Sequence, residues 1–290
     1  MNRLRSLLGR KPAATAPSEA AAPNAVGQAA PAAAGASSDS RTGAAVERGH
    51  VPGSDGKRIQ VFLRHCYVSH HQKLQSRTRP DWFDKIKVLN NFKRTLQPEL
   101  ASYTIVYDNH FGPRAETFLA DEPNCVEIDC GTEAASFLET YDLATGIAAS
   151  EDTIIYFLED DYLHREGWCE ALIEGFDLGV HYVSLYDHPD KYFAPYNDLQ
   201  STIRFTKSAH WRATPSTCNS YAGKLSTLRQ DRDIHRHYSI NNFHGGTYDH
   251  AKFEALWKHK RFLVSALPAF ATHCDEKYLA PVIDWPSYCV

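Results

Sequence analysis

Residues 153–162 read Thr153-Ile154-Ile155-Tyr156-Phe157-Leu158-Glu159-Asp160-Asp161-Tyr162. From Ile154 to Leu158 every side chain is large and apolar, the pattern of a central parallel strand buried on both faces. Three carboxylates follow without a break. Adjacent like charges repel, and a fold tolerates them best where a cation neutralises them. A solvated acidic turn would explain an isolated triplet equally simply. Its place directly after a buried strand favours a site.

Working outward, the same grammar repeats. Ile59 to Leu63 is a short apolar strand that runs into Arg64-His65, Tyr103 to Tyr107 ends at Asp108, and Val126 to Ile128 ends at Asp129. Trp82 to Leu96 has helical spacing, with Trp82, Ile86, Leu89 and Phe92 on one side. Helices are expected from Glu133 to Ala148, Arg165 to Phe176 and His250 to His259, with a strand at Tyr182 to Leu185. Strand, polar end, helix, repeated, implies an open α/β sheet, in which ligands sit beyond the carboxyl ends of the strands. Arg64, Asp108, Asp129 and the acidic triplet would all fall on that edge.

The chain has 290 residues, 43% of them hydrophobic, and a formal net charge of -4. That near balance gives no reason to expect nucleic-acid binding. The seven cysteines are scattered, odd in number and lack a Cys-x-x-Cys pair, so a reducing compartment, the cytoplasm, is the simpler expectation. From Lys11 to Gly56 the chain is Ala, Pro, Gly and Ser with almost no large apolar residue. Residues 1–56 are therefore expected to be a disordered tail and residues 57–290 the folded domain. Met1 to Arg10 carries three arginines around Leu4, Leu7 and Leu8. It could form a small basic helix in peripheral contact with the inner membrane surface, or a solvated end.

Phe157-Leu158-Glu159-Asp160-Asp161, followed by Gly167-Trp168, resembles the DxD region of GT-A glycosyltransferases, particularly family 2-like enzymes with a Glu-Asp-Asp version of the motif. The resemblance spans roughly Ile59 to Val282 in scattered motifs. It implies a GT-A (Rossmann-like) nucleotide-diphospho-sugar transferase fold, α/β with a mostly parallel central sheet. It also implies a divalent cation, Mn2+ or Mg2+, on a nucleotide-diphosphate sugar donor, and a carbohydrate or lipid-linked glycan acceptor. By that resemblance Asp161 is the direct metal ligand, Glu159 a supporting one, and Asp160 lies near the ribose or donor sugar. The late His273 is the second candidate ligand, its imidazole better suited to Mn2+ than to Mg2+. Asp161→Asn is expected to abolish donor turnover with the fold intact.

On the nucleotide side, Arg64 could contact phosphate or base and Asp108 the base or ribose. The helix start Gly131-Thr132-Glu133-Ala134-Ala135-Ser136 would let a nucleotide lie close, with Glu133 and Ser136 as contacts; Glu133 is otherwise a first-turn acid favoured by the helix dipole. Inversion at the sugar needs a base, for which Asp249, in His244-Gly245-Gly246-Thr247-Tyr248-Asp249-His250, is the candidate and Asp187 and Asp190 the reserves. Asp249 could instead cap its helix. His210-Trp211-Arg212 offers a ring for sugar stacking and a cation for phosphate beside the polar stretch Thr214 to Tyr221. Arg79 to Phe83 reads as a helix start without chemistry. Two other readings stay open: a metal-dependent nucleotidyl- or phosphotransferase, and a non-catalytic sugar-nucleotide-binding protein.

Overall fold

Nine strands form one sheet in the order β3-β2-β1-β4-β9-β6-β10-β8-β7. They are β1 (Ile59–Cys66), β2 (Ala101–Asp108), β3 (Cys125–Ile128), β4 (Ile154–Glu159), β6 (Tyr182–Ser184), β7 (Ile203–Phe205), β8 (His210–Ala213), β9 (Tyr221–Lys224) and β10 (Leu263–Leu267). Only β8 and β9 run against the rest, so the sheet is mixed but mostly parallel in direction. The computed structural model describes residues 56–66, 78–193, 196, 198–240 and 246–290. These lie in one compact unit, Ala45–Val290. The expected tail, apart from Gly56, and His244-Gly245 lie outside the described residues.

Two helical layers cover the sheet. On β4, Ile154, Tyr156 and Leu158 enter one apolar core and Ile155 and Phe157 the other. The first core is closed by α1 (Lys85–Thr95) and α3 (Trp168–Asp177), through Val88, Leu89, Phe92, Trp168 and Leu172. The second is closed by α2 (Glu133–Thr145), α4 (Leu225–Gln230) and α6 (Asp249–Lys258), through Phe137, Tyr141, Leu225, Leu228, Phe253 and Leu256. Helix α5 (Arg232–Ile240) adds buried His235 to the α2 and α6 layer. Such two-sided burial is why β4 lacks alternation.

The first helix starts later than its spacing suggests. Asp84 accepts from the backbone amides of Ile86 and Lys87 and so sets the N-terminus, which turns Ile86 outward at 47% exposure. Sequence periodicity also misses β9, a four-residue antiparallel strand wedged between β4 and β6. A separate pair, β5 (Tyr162–His164) with β11 (Ala271–His273), is antiparallel and aligns His273 with Tyr162.

Two buried histidines make the fold acid-sensitive. His164 is fully buried, its backbone N–H and C=O both held by the Asn91 side chain, and burial pushes its imidazole down to about 3. Burial, then the Lys252 ammonium, holds His235 well below its ordinary value among the hydroxyls of Tyr182 and Tyr221. In the unfolded chain both titrate near 6.5. A depressed native value favours folding above the unfolded value, and that advantage is lost as pH falls from about 6.5 toward 3. Each group contributes about 1.4 kcal/mol per pH unit there. Unfolding free energy from denaturant titrations should therefore drop by roughly 2–3 kcal/mol between pH 6 and pH 5. A flat profile over that interval refutes the assignment.

Candidate functional site

The carboxyl ends of β1 and β4 lie side by side, with Arg64 aligned to Glu159. That register sets the first contact of the triplet, Arg64 Nη2 on Glu159 Oε1 at 2.8 Å. Asp160 turns the other way. Its Oδ2 accepts from Lys85 Nζ at 2.7 Å and the Cys66 amide at 3.2 Å, and lies 3.0 Å from His65 Nδ1. Burial works against the charge of Asp160, yet Lys85 and His65 hold its carboxyl well below the usual carboxylate range. Lys85 reaches it because the Asp84 cap makes Lys85 the first residue of α1.

Asp161 is 2% exposed, and its Oδ2 accepts from Arg79 Nη2 at 2.6 Å and lies 3.1 Å from His273 Nε2. The β5–β11 pair makes this contact: Cys274 N donates to the Asp161 carbonyl at 2.8 Å, closing the ladder that sets His273 beside the carboxylate. Arg79 also donates to the Cys274 carbonyl at 2.6 Å and stacks on Phe83 at 4.7 Å. Each of the three adjacent acids thus has a lysine or arginine of its own. The protein's own cations account for the tolerance of the triplet.

A second polar cluster forms around the start of α6. Asp249 is its first helical residue, and its Oδ1 accepts from the Thr247 hydroxyl at 2.7 Å and from Lys252 Nζ at 3.1 Å. No side chain caps this helix, so the Asp249 carboxylate serves these two groups in place of a cap. Lys252 is fully buried, donates to Asn219 Oδ1 at 2.6 Å and sits over the rings of Phe137, Tyr221 and Phe253. Glu133 Oε1 takes the Thr247 hydroxyl at 3.3 Å and the Asn219 amide at 3.4 Å. Arg64 joins the two clusters, since its Nη1 donates to the Glu133 carbonyl at 3.1 Å while Nη2 holds Glu159.

Arg64, Glu133, Glu159, Asp160, Asp161, Asp249 and His273 therefore gather at one edge of the sheet. Two other expected contacts are engaged in local structure. Asp108 is buried with its oxygens on the amides of His110, Cys130 and Gly131, an arrangement that ties β2 to the loop after β3. Gly131 is needed there: its φ is +72°, and a Cβ would lie 2.6 Å from the His110 ring. Ser136 is buried on α2, its carbonyl taking the Thr140 hydroxyl.

The structure corrects three readings outside this set. Trp211 is fully buried, with Nε1 on the Thr206 hydroxyl, and has no face for a sugar. Arg212 pairs with Asp187, whose other oxygen takes the Tyr192 hydroxyl at 2.5 Å, so this reserve base is committed to neighbours. Arg79, read as a helix start, is the arginine on Asp161. Lys252 and Lys85 also escaped sequence reasoning. For Lys252 the available signal was a lysine three residues after an acid on one helix; for Lys85 it was the position directly after the capping Asp84.

No protein-family model matches the chain, and no curated protein sequence matches it. Among solved structures, CMP:2-keto-3-deoxy-manno-octonic acid synthetase complexed with CTP aligns at 13% identity and TM-score 0.43, covering 73% of this chain and 92% of that one. The bifunctional IspDF of Campylobacter jejuni aligns at 11% identity and TM-score 0.38, over 69% of this chain and 47% of its own. The 4-diphosphocytidyl-2C-methyl-D-erythritol synthase of Anaerococcus prevotii aligns at 10% identity and TM-score 0.39, over 73% and 88%. Likenesses this distant assign no activity to this chain. Among the described residues, no helix is long and apolar enough to cross a membrane.

Proposed function

We propose that the chain is a GT-A-type glycosyltransferase that moves a sugar from a nucleotide-diphosphate sugar to a hydroxyl acceptor. The observation that carries this reading is Arg64, which grips Glu159 with one nitrogen and the Glu133 carbonyl with another. It joins the acidic triplet to the Asp249 cluster, so an electrostatic centre and a carboxylate base share one strand edge. The strand order β3-β2-β1-β4, with antiparallel β9 beyond it, supports the same reading.

Asp161 and His273 are the residues that would hold a divalent cation. They are buried, 3.1 Å apart, and offer one oxygen and one nitrogen, a set that suits Mn2+ when substrate phosphates and water complete the shell. Glu159 is turned to Arg64, and among the described residues no three His, Cys, Asp or Glu side chains group as a metal site. The pair fits such an ion provided Arg79 yields the Asp161 oxygen. When bound, the ion supplies charge stabilisation to a departing diphosphate.

The chain's own groups account for the remaining roles. Asp249 takes the proton of the acceptor hydroxyl as its oxygen bonds to the anomeric carbon. The bond from that carbon to the phosphate oxygen breaks, and the nucleoside diphosphate leaves. Lys252 and Thr247 hold the base in place. Arg64 and Lys85 offset the charge of Glu159 and Asp160, so that the acids do not repel an incoming diphosphate outright.

The test is a thermal-shift screen of nucleotide sugars with and without Mn2+, followed by transfer assays. A donor at a hundredfold excess over its dissociation constant should add about 2.7 kcal/mol of stability. Pyrophosphate release from a nucleoside triphosphate, with no response to nucleotide sugars, would replace this reading with nucleotidyl transfer.

A further inference from the structure

Beyond the two polar clusters, the described residues enclose an apolar cavity of about 750 Å³, a volume suited to a small molecule. Its walls include Tyr192, Phe193, Ile203, Leu279, Pro281 and Val282, and its polar groups are Asp187, His210 and Lys277. Several wall residues are large apolar side chains left in water: Phe193 is 66% exposed, Ile203 49% and Val282 85%. Val282 also has a φ of 64°, a left-handed backbone that strains a β-branched residue. Such strain concentrates where a ligand is clamped.

Residues next in sequence to the cavity wall contact residues next to both polar clusters. Tyr186, directly before Asp187, packs its ring 5.6 Å from that of Tyr162, directly after Asp161. One short segment runs from His273, against Asp161, to Lys277, Leu279, Pro281 and Val282 on the cavity wall. On the other side, Ser216 Oγ lies 3.3 Å from His250 Nδ1 and 3.3 Å from Lys191 Nζ. The residue after the candidate base is thereby tied to the residue before Tyr192. Asp187 is itself buried and holds the Tyr192 hydroxyl, which fixes that ring as wall.

We propose that this cavity seats the acceptor, and that the acceptor carries its hydroxyl on an apolar body, an alkyl or aryl group. The inference rests on the glycosyl-transfer reading for the word acceptor and on the cavity alone for the binding. A wall of rings and aliphatic side chains gains free energy from burying hydrocarbon, about tenfold in affinity for every two methylenes or so. The hydroxyl groups of a bare sugar would find few partners on it.

The experiment compares octyl β-D-glucoside, kept below micelle formation, with methyl β-D-glucoside, by calorimetric titration of the full chain. The octyl compound should bind more tightly by about tenfold or more. Phe193→Asp and Val282→Asp, both at exposed positions and so compatible with an unchanged melting temperature, should each reduce that preference to roughly threefold or less. Equal affinity for the two glucosides, or a preference untouched in both variants, overturns the proposal. Transfer assays then separate the two readings. Octyl glucoside bound in a wall-dependent way but never glycosylated by any donor leaves the cavity assignment standing and removes glycosyl transfer. Free hexoses glycosylated as efficiently as their octyl forms leave glycosyl transfer standing and remove the apolar acceptor.

Discussion

Asp161→Asn should lower the stability of the protein by about 3 kcal/mol as well as its activity, because it strands a largely covered arginine. The sequence alone suggests a loss of donor turnover with the fold intact. The structure places Arg79 Nη2 2.6 Å from Asp161 Oδ2, with side-chain exposures of 15% and 3%. A guanidinium cannot shed its proton, and Arg79 Nε is already buried without a hydrogen-bond partner. With asparagine at 161 the charge stays and its counter-charge is gone. In a domain of this size the loss corresponds to about 6–12 °C in melting temperature. Arg79→Met in the same chain removes the stranded charge and should restore part of that loss, the buried asparagine amide keeping it short of full recovery. Calorimetry or denaturant titration of the two single variants and the double variant settles it. A single variant that melts with the wild type would show that the pair is solvated. Activity of Asp161→Asn has to be measured well below its new transition.

Asp249→Asn should reduce kcat for transfer by about a hundredfold to ten-thousandfold, the usual share of a positioned base. Donor affinity should hold, because Arg64, Lys85 and the triplet are untouched. Lys252→Met should reproduce much of the kcat loss without touching the carboxylate. Lys252 is fully buried, its ammonium held by Asn219 at 2.6 Å and Asp249 at 3.1 Å and set over the rings of Phe137, Tyr221 and Phe253. Methionine keeps that packing and deletes the charge that orients Asp249. Steady-state kinetics with the donor varied distinguishes positioning from structure. A falling kcat at constant donor KM fits the assignment; a rising donor KM with kcat retained would move Lys252 to the donor side. Asp249→Asn with full kcat would hand the role of base to another group.

Much of the scaffold was legible in the chain. Ile154 to Leu158 is apolar at every position, and only a strand packed on both faces needs that. The polar ends at Arg64 and Glu159 then fall on one edge because β1 and β4 are parallel. What escaped was short or antiparallel. Three- and four-residue strands such as β5, β9 and β11 hold too few alternations to reveal a period of two. Cap chemistry at Asp84 outweighed apolar spacing and moved the start of the first helix past Trp82.

The sequence by itself determined the α/β class, the strand that delivers the acidic triplet and the edge on which it emerges, because burial pattern is a local property of consecutive residues. Which cation answers each acid was decided only by tertiary structure. Arg64 lies 95 residues from Glu159, Lys85 75 from Asp160, Arg79 82 and His273 112 from Asp161. The head of a long side chain lands where strand register, a helix cap and a two-strand ladder put it. No local propensity carries that information.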